Sequence, residues 1–344
     1  TTNDATIALT FESSESTTDL VAGDVTISAG TLSSFAGSGT SYTATFTPGS
    51  DATYTISIAA SKFNDATGNA NSVSNTFTWT YDSTALTMTI ASSTSGVTSG
   101  ATTNDATIAL TFESSESTTS LSSDDVTLSA GTLSSFAGSG TSYTATFAPS
   151  GDATYTISIA AGTFTDGAGN ANTVSNSFTW TYDGTSPTMT IASTTSGVTS
   201  GATTNDATIA LTFTSSESTT DLVVGDITVS AGSLSSFAGS GTDYTATFTP
   251  GSDATYTISI AVNKFTDAPG NNNAVSNTFT WISDQADDPS ITSSGGESAT
   301  EDSAYSYSVT ATDADDGSPN SGTITLSCTV VAPGGSSAVD CASS

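Results

Sequence analysis

The sequence predicts an all-β chain built from tandem sandwich domains of about 100 residues each, joined end to end as a rod. Three observations predict it. The same words recur at one interval, so that Trp79, Trp180 and Trp281 stand 101 residues apart in a chain of 344. Around them, Phe63, Asp65, Gly68 and Asn69 are repeated as Phe164, Asp166, Gly169 and Asn170, and again as Phe265, Asp267, Gly270 and Asn271. Apolar residues alternate with small polar ones, the period of a strand with one buried face, and no stretch carries the apolar stripe of a helix. Turn words rich in Gly, Asp, Asn and Ser punctuate these runs at the spacing of an all-β sandwich.

The second copy shows the elements in full. Strands are predicted over 87–91, 106–112, 126–130, 133–136, 143–147, 154–160 and 174–182. Shared parity assigns Ile108, Leu110 and Phe112 to the inward face, with Tyr143, Ala145 and Phe147, then Tyr155, Ile157 and Ile159, then Phe178, Trp180 and Tyr182. That parity makes the three tryptophans core residues, not sugar-stacking platforms. Gly138, Gly140, Gly151 and Gly167 mark the reversals between strands, because glycine supplies the positive φ that a turn needs.

Repeats are predicted at 1–82, 83–183 and 184–284, followed by a different unit at 285–344. The first copy has no counterpart of Thr87–Ile90, so it is expected to lack its opening strand. Either polypeptide further upstream or another chain would complete it. The joints at Asp82-Ser-Thr-Ala-Leu86 and Asp183-Gly-Thr-Ser-Pro187 are short, which predicts stiffness.

Charge excludes several functions. Thirty-three acidic residues face two lysines and no histidine, a formal charge of −31. Phosphate backbones and anionic lipid surfaces both need clustered cations, so neither is an expected partner. No run reaches the length of a membrane helix. With no histidine, no cysteine in the repeats, and Lys62 and Lys264 replaced by Thr163 in the middle copy, no enzyme activity is expected. Cys328 and Cys341 lie in the last unit, where a disulfide would suit an extracellular setting.

The run from Thr102 to Glu116, the segment Gly131–Thr141 and the turn Asp166-Gly-Ala-Gly-Asn170 together resemble the bacterial Ig-like repeats of large secreted adhesins and surface proteins. The run from Glu301 to Asp315 is similar to the opening of a cadherin-like or Ig-like module, of which the last unit would be a part. The resemblance implies Ig-like sandwiches, a tandem array at a prokaryotic cell surface, and calcium at the junctions.

Counting loops along alternating strands places the carboxylates at two poles. Asp4, Asp51 and Asp82 would then face Glu113, Glu116, Asp166 and Asn170 across the first junction. At the second, Asp105, Asp152 and Asp183 would face Glu217, Asp226, Asp267 and Asn271. The expected metal ligands are Asp4, Asp82, Asp166, Asn170, Asp105, Asp183, Asp267 and Asn271, with Ca²⁺ as the ion because it takes six to eight hard oxygen ligands. Asp166 and Asn170 suit a second role equally, capping their own turn. In the last unit Asp313, Asp315 and Asp316 have donor spacing that suits a further site.

The function expected is a structural stalk or spacer of an extracellular adhesin or surface filament, stiffened by calcium. Its partners would be neighbouring Ig-like domains of the same polypeptide, and identical chains if a filament forms by strand complementation. A carbohydrate- or protein-binding module is the third possibility.

Overall fold

A computed structural model describes residues 1–285 and the short strands Ser290–Ile291, Ala311–Thr312, Thr329–Val331 and Ala338–Asp340. The run Glu301–Asp315 lies largely outside these residues, and Asp313, Asp315, Asp316, Cys328 and Cys341 lie outside them. The chain forms two compact units, Thr1–Gly184 and Thr185–Ser344.

In the first unit, the first repeat contains β1 (Ile7–Thr17), β2 (Val25–Ile27), β3 (Thr31–Thr47), β4 (Ala52–Ile58) and β5 (Phe77–Tyr81). The second repeat adds β6 (Met88–Ser92), β7 (Ala101–Thr103), β8 (Ile108–Thr118), β9 (Val126–Leu128), β10 (Thr132–Ala148), β11 (Ala153–Ile159) and β12 (Phe178–Tyr182). Two sheets make its sandwich, in the orders β6-β8-β10 and β7-β12-β11-β9. The second unit repeats this plan with β13 (Met189–Ser193), β14 (Ala202–Thr204), β15 (Ile209–Thr219), β16 (Ile227–Val229), β17 (Ser233–Thr249), β18 (Ala254–Ile260) and β19 (Phe279–Ser283).

Alternation built the core as expected. Ile108, Leu110, Phe112, Tyr143, Ala145, Phe147, Tyr155, Ile157, Ile159, Phe178 and Trp180 are all buried in one cluster, against which Tyr182 packs half-buried. Phe147 meets Trp180 edge-on, with ring centroids 6.0 Å apart. The indole N–H of Trp180 donates to Thr103 Oγ1 at 3.1 Å, so the one polar atom of this large side chain is satisfied.

Three details differ from expectation. The two strands predicted at 133–136 and 143–147 form one extended segment, β10, that folds back on itself. Ser134 Oγ donates to the Thr146 carbonyl at 3.4 Å. Gly138, at φ 145°, leaves no room for a Cβ against the Ser142 carbonyl and the Tyr143 backbone. The strand predicted at 174–182 begins only at Phe178, because Ser175 and Asn176 use their side chains to bind the backbones of Ile159 and Ile90 instead. The predicted set also lacks β7, which pairs in parallel with β12 through Trp180 and Ala101.

Within the first unit the two repeats differ at one edge. β8 is flanked by β6 and β10, whereas β1 pairs with β3 alone. Phe77 is consequently 44% exposed while its counterpart Phe178 is 1% exposed.

Candidate metal centre

The turn after Phe164 is held by its own side chains. Asp166 Oδ1 accepts from the backbone N–H groups of Ala168 at 2.8 Å, Gly169 at 2.7 Å and Asn170 at 2.8 Å. Its Oδ2 accepts from Asn170 Nδ2 at 3.0 Å. Asp166 and Asn170 are 4% and 7% exposed. Asp65 and Asn69 make the corresponding bonds in the first repeat, with the Asn69 amide 2.8 Å from Asp65 Oδ2. Capping the turn is therefore a role that these residues perform in either context.

The second copy of the turn also receives the first repeat. Asn170 Nδ2 donates to the Asp82 carbonyl at 2.9 Å, and the Asn3 N–H donates to the Ala168 carbonyl at 3.1 Å. Gly169, at φ 98°, brings backbone close to the Asn3 side chain, where a Cβ would lie 3.3 Å from Asn3 Oδ1. Asp82 follows β5 directly, and its N–H is fixed on the Thr2 carbonyl at 3.2 Å.

Glu116 comes from β8, in the stretch where the ladder with β10 loses register between the Glu113–Ser142 and Thr118–Gly140 pairs. Glu116 shares the parity of Ile108, Leu110 and Phe112 and is half-buried where that ladder is interrupted. One oxygen from each of Asp82, Glu116 and Asp166 lies within 4.8 Å of the others.

The electrostatics follow from this crowding. Burial raises the Glu116 carboxyl above its usual range, and the charges of Asp82, Asp166 and Asp51 raise it further. Burial acts on Asp166 in the same direction, but the hydrogen bonds from the Asn170 amide and from three backbone N–H groups outweigh it and hold this carboxyl low. Two unit charges about 5 Å apart near a protein surface repel by roughly 3 kcal/mol. A divalent cation would reverse the sign of that interaction, and three carboxylate oxygens plus water suit Ca²⁺ better than a soft metal.

Not every expected ligand reaches this place. Asp4 is exposed and stands outside the group of three; Asn3 makes the contact with the second repeat in its stead. Asp105, expected at the second junction, accepts from Thr103 Oγ1 at 2.7 Å, and Thr103 Oγ1 in turn accepts from the Trp180 indole. Asp51 accepts from the Ser83 N–H and from the hydroxyls of Ser83 and Thr84, tying down the joint beside the cluster. Glu113 accepts from Ser142 Oγ at 2.7 Å on the sheet surface. Asp183, half-buried at the end of the first unit, donates its N–H to the Thr103 carbonyl. In the second unit Asp267 Oδ1 accepts from Gly270 and Asn271 N–H, and the Asn271 amide binds Asp267 Oδ2 at 3.0 Å, the same capped turn again. Glu116, set across the first junction together with Glu113 but outside the eight expected ligands, is the glutamate of that pair that stands with Asp82 and Asp166.

The sequence profile described as a bacterial Ig-like domain matches residues 1–81, 82–182 and 183–283. No curated protein matches significantly. Among solved structures, invasin, titled a bacterial integrin-binding protein, is 12% identical with a TM-score of 0.35, over 83% of this chain and 61% of that one. The chain thus spans about three fifths of that invasin structure. The Escherichia coli adhesin FdeC is 15% identical with a TM-score of 0.30, over 80% and 85% of the two chains. InvD of Yersinia pseudotuberculosis is 14% identical with a TM-score of 0.36, over 82% and 94%.

Proposed function

The chain belongs to the bacterial Ig-like domain family, and from that premise we propose that it is a stalk or spacer segment of an extracellular surface protein whose domain junctions are stiffened by calcium. The observation that carries this reading is the meeting of Asp82, from the end of one repeat, with Glu116 and Asp166 of the next. Those three carboxylates have almost no basic side chains to neutralise them in a chain with two lysines and no arginine or histidine. A bound cation removes the repulsion and joins the two repeats through ligands that neither supplies alone. The sequence repeats the same three residue types 101 positions later, as Asp183, Glu217 and Asp267. The role is structural: the side chains supply spacing and rigidity and perform no chemistry.

Thermal unfolding of the full chain in excess chelator and in millimolar Ca²⁺ tests this. An ion at about 100 times its Kd stabilises the folded state by about 2.7 kcal/mol, so calcium should raise the melting temperature by several degrees. Superimposable melting curves would refute the calcium part of the reading while leaving the spacer role to the family fold.

A further inference from the structure

The third repeat exposes apolar side chains where the second exposes small or polar ones. Val223, Val224, Val262 and Val275 are 56%, 45%, 53% and 63% exposed. At the equivalent positions the second repeat has Ser122, Ser123, Ala161 and Val174, so three of these valines are additions. Lys264 is a fourth, standing where the second repeat has Thr163.

The fold brings these additions together. The segments 219–227 and 260–267 run side by side because they are tied at both ends. At one end Ile227 pairs with Ile260. At the other Thr219 bridges to Asp267, and both carboxylate oxygens of Asp221 accept from the Thr266 N–H, at 3.0 Å each. Val223 and Val224 lie midway along the first segment, and Val262 and Lys264 lie midway along the second. The Ser276 N–H donates to the Ile260 carbonyl at 3.0 Å, which sets Val275 beside the same edge. Asp226, half-buried, stands at the Ile227 end of this row and accepts from the Val223 N–H through Oδ2 at 2.9 Å. Lys264 stands further toward the other end, exposed, and among the described residues no carboxylate pairs with it.

Charge identifies the occupant. An anionic partner meets a chain of net charge −31, whereas a cationic one is drawn to any of 33 carboxylates and repelled where Lys264 stands. The surface that fits carries apolar side chains between one carboxylate and one cation, and the patch is itself such a surface. We propose that this end of the third repeat is a self-association surface on which a second copy of the chain docks, patch to patch, about a twofold axis. An axis through the valines reverses the row, so it packs valine on valine and sets Lys264 over the partner's Asp226. The second repeat, with Ser122, Ser123, Ala161 and Thr163, has neither the apolar centre nor the cation and stays single.

Sedimentation equilibrium of the full chain in excess chelator tests this. The mean mass should climb from one chain toward two between roughly 10 µM and 1 mM, the range of a small interface that exceeds the cost of association only narrowly. The triple variant Val223→Ser, Val224→Ser, Val262→Ala carries the residues of the second repeat at exposed positions. It should associate at least tenfold more weakly with an unchanged melting curve, since each buried valine contributes about that factor. Lys264→Thr should weaken association several-fold, because the twofold axis removes two ion pairs at once. Val21→Ser, at the equivalent end of the first repeat, should change nothing. A chain that stays monomeric to the top of that range overturns the proposal, as does association that the triple variant leaves intact. A loss with Val21→Ser equal to that of the triple variant would show the first repeat pairing with the third, and overturns the twofold contact. Every side chain probed lies outside the group of Asp82, Glu116 and Asp166, so failure here leaves the calcium reading standing, and failure of the calcium titration leaves this proposal standing.

Discussion

Glu116 and Asp166 share a cluster but respond to acid in opposite senses. The Glu116 carboxyl is raised by burial and by its anionic neighbours, so the stability it contributes in the absence of metal is full below the ordinary glutamate range and is lost as pH rises through the raised value. Asp166 is held low despite its burial, so its contribution is present above the ordinary aspartate range and is lost as pH falls through the depressed value. Two variants separate these roles. In chelator at neutral pH, Glu116→Gln should raise the melting temperature, because it removes one of three crowded charges, and in calcium it should lower it. Asp166→Asn should destabilise by about 1–3 kcal/mol with or without calcium, since it removes the charge to which three backbone N–H groups bond and puts a donor where Oδ2 accepts from the Asn170 amide. Equal effects of the two substitutions in both buffers would show that the cluster does not act as a unit.

At the scale of elements, strand alternation was the most legible feature and pairing the least. Ile108, Leu110 and Phe112 announce their face by parity, and the structure buries all three. Ala101-Thr-Thr103 has no large apolar side chain to announce anything; it becomes β7 only because Trp180 needs Thr103 as an acceptor and β12 needs a neighbour. The reversal inside β10 was visible as Gly138-Ser-Gly140, and the structure explains why glycine stands there. Gly138→Ala would place a Cβ 2.4 Å from the Ser142 carbonyl, and should cost the second repeat a few kcal/mol, read as a loss of denaturant midpoint. Phe147→Ala removes a fully buried ring packed on Tyr155 and Trp180, and about 3–5 kcal/mol is expected from the cavity and lost transfer energy. The carboxylate positions were half legible. Loop counting brought Asp82, Glu116 and Asp166 to one junction, but it could not foresee that Asn3 would make the contact with the second repeat beside an exposed Asp4, or which of Glu113 and Glu116 would stand with the two aspartates.

At the scale of the whole molecule, the buried apolar side chains form three separate clusters among the described residues, one per repeat. Each repeat is long enough to bury a core of its own, so the polypeptide need not behave as one cooperative block. Denaturant unfolding should show more than one phase, with Phe147→Ala moving a different phase from Phe248→Ala. A single transition shifted equally by both would mean that the repeats unfold together. On the proposed reading calcium would couple the first two repeats beyond the hydrogen bonds that Asn3 and Asn170 already make between them. Calorimetric titration of the full chain with Ca²⁺, compared with the Asp82→Asn, Glu116→Gln double variant, tests that coupling most directly. The double variant should bind one ion fewer per chain than the parent; identical stoichiometry and heats in the two proteins would contradict it.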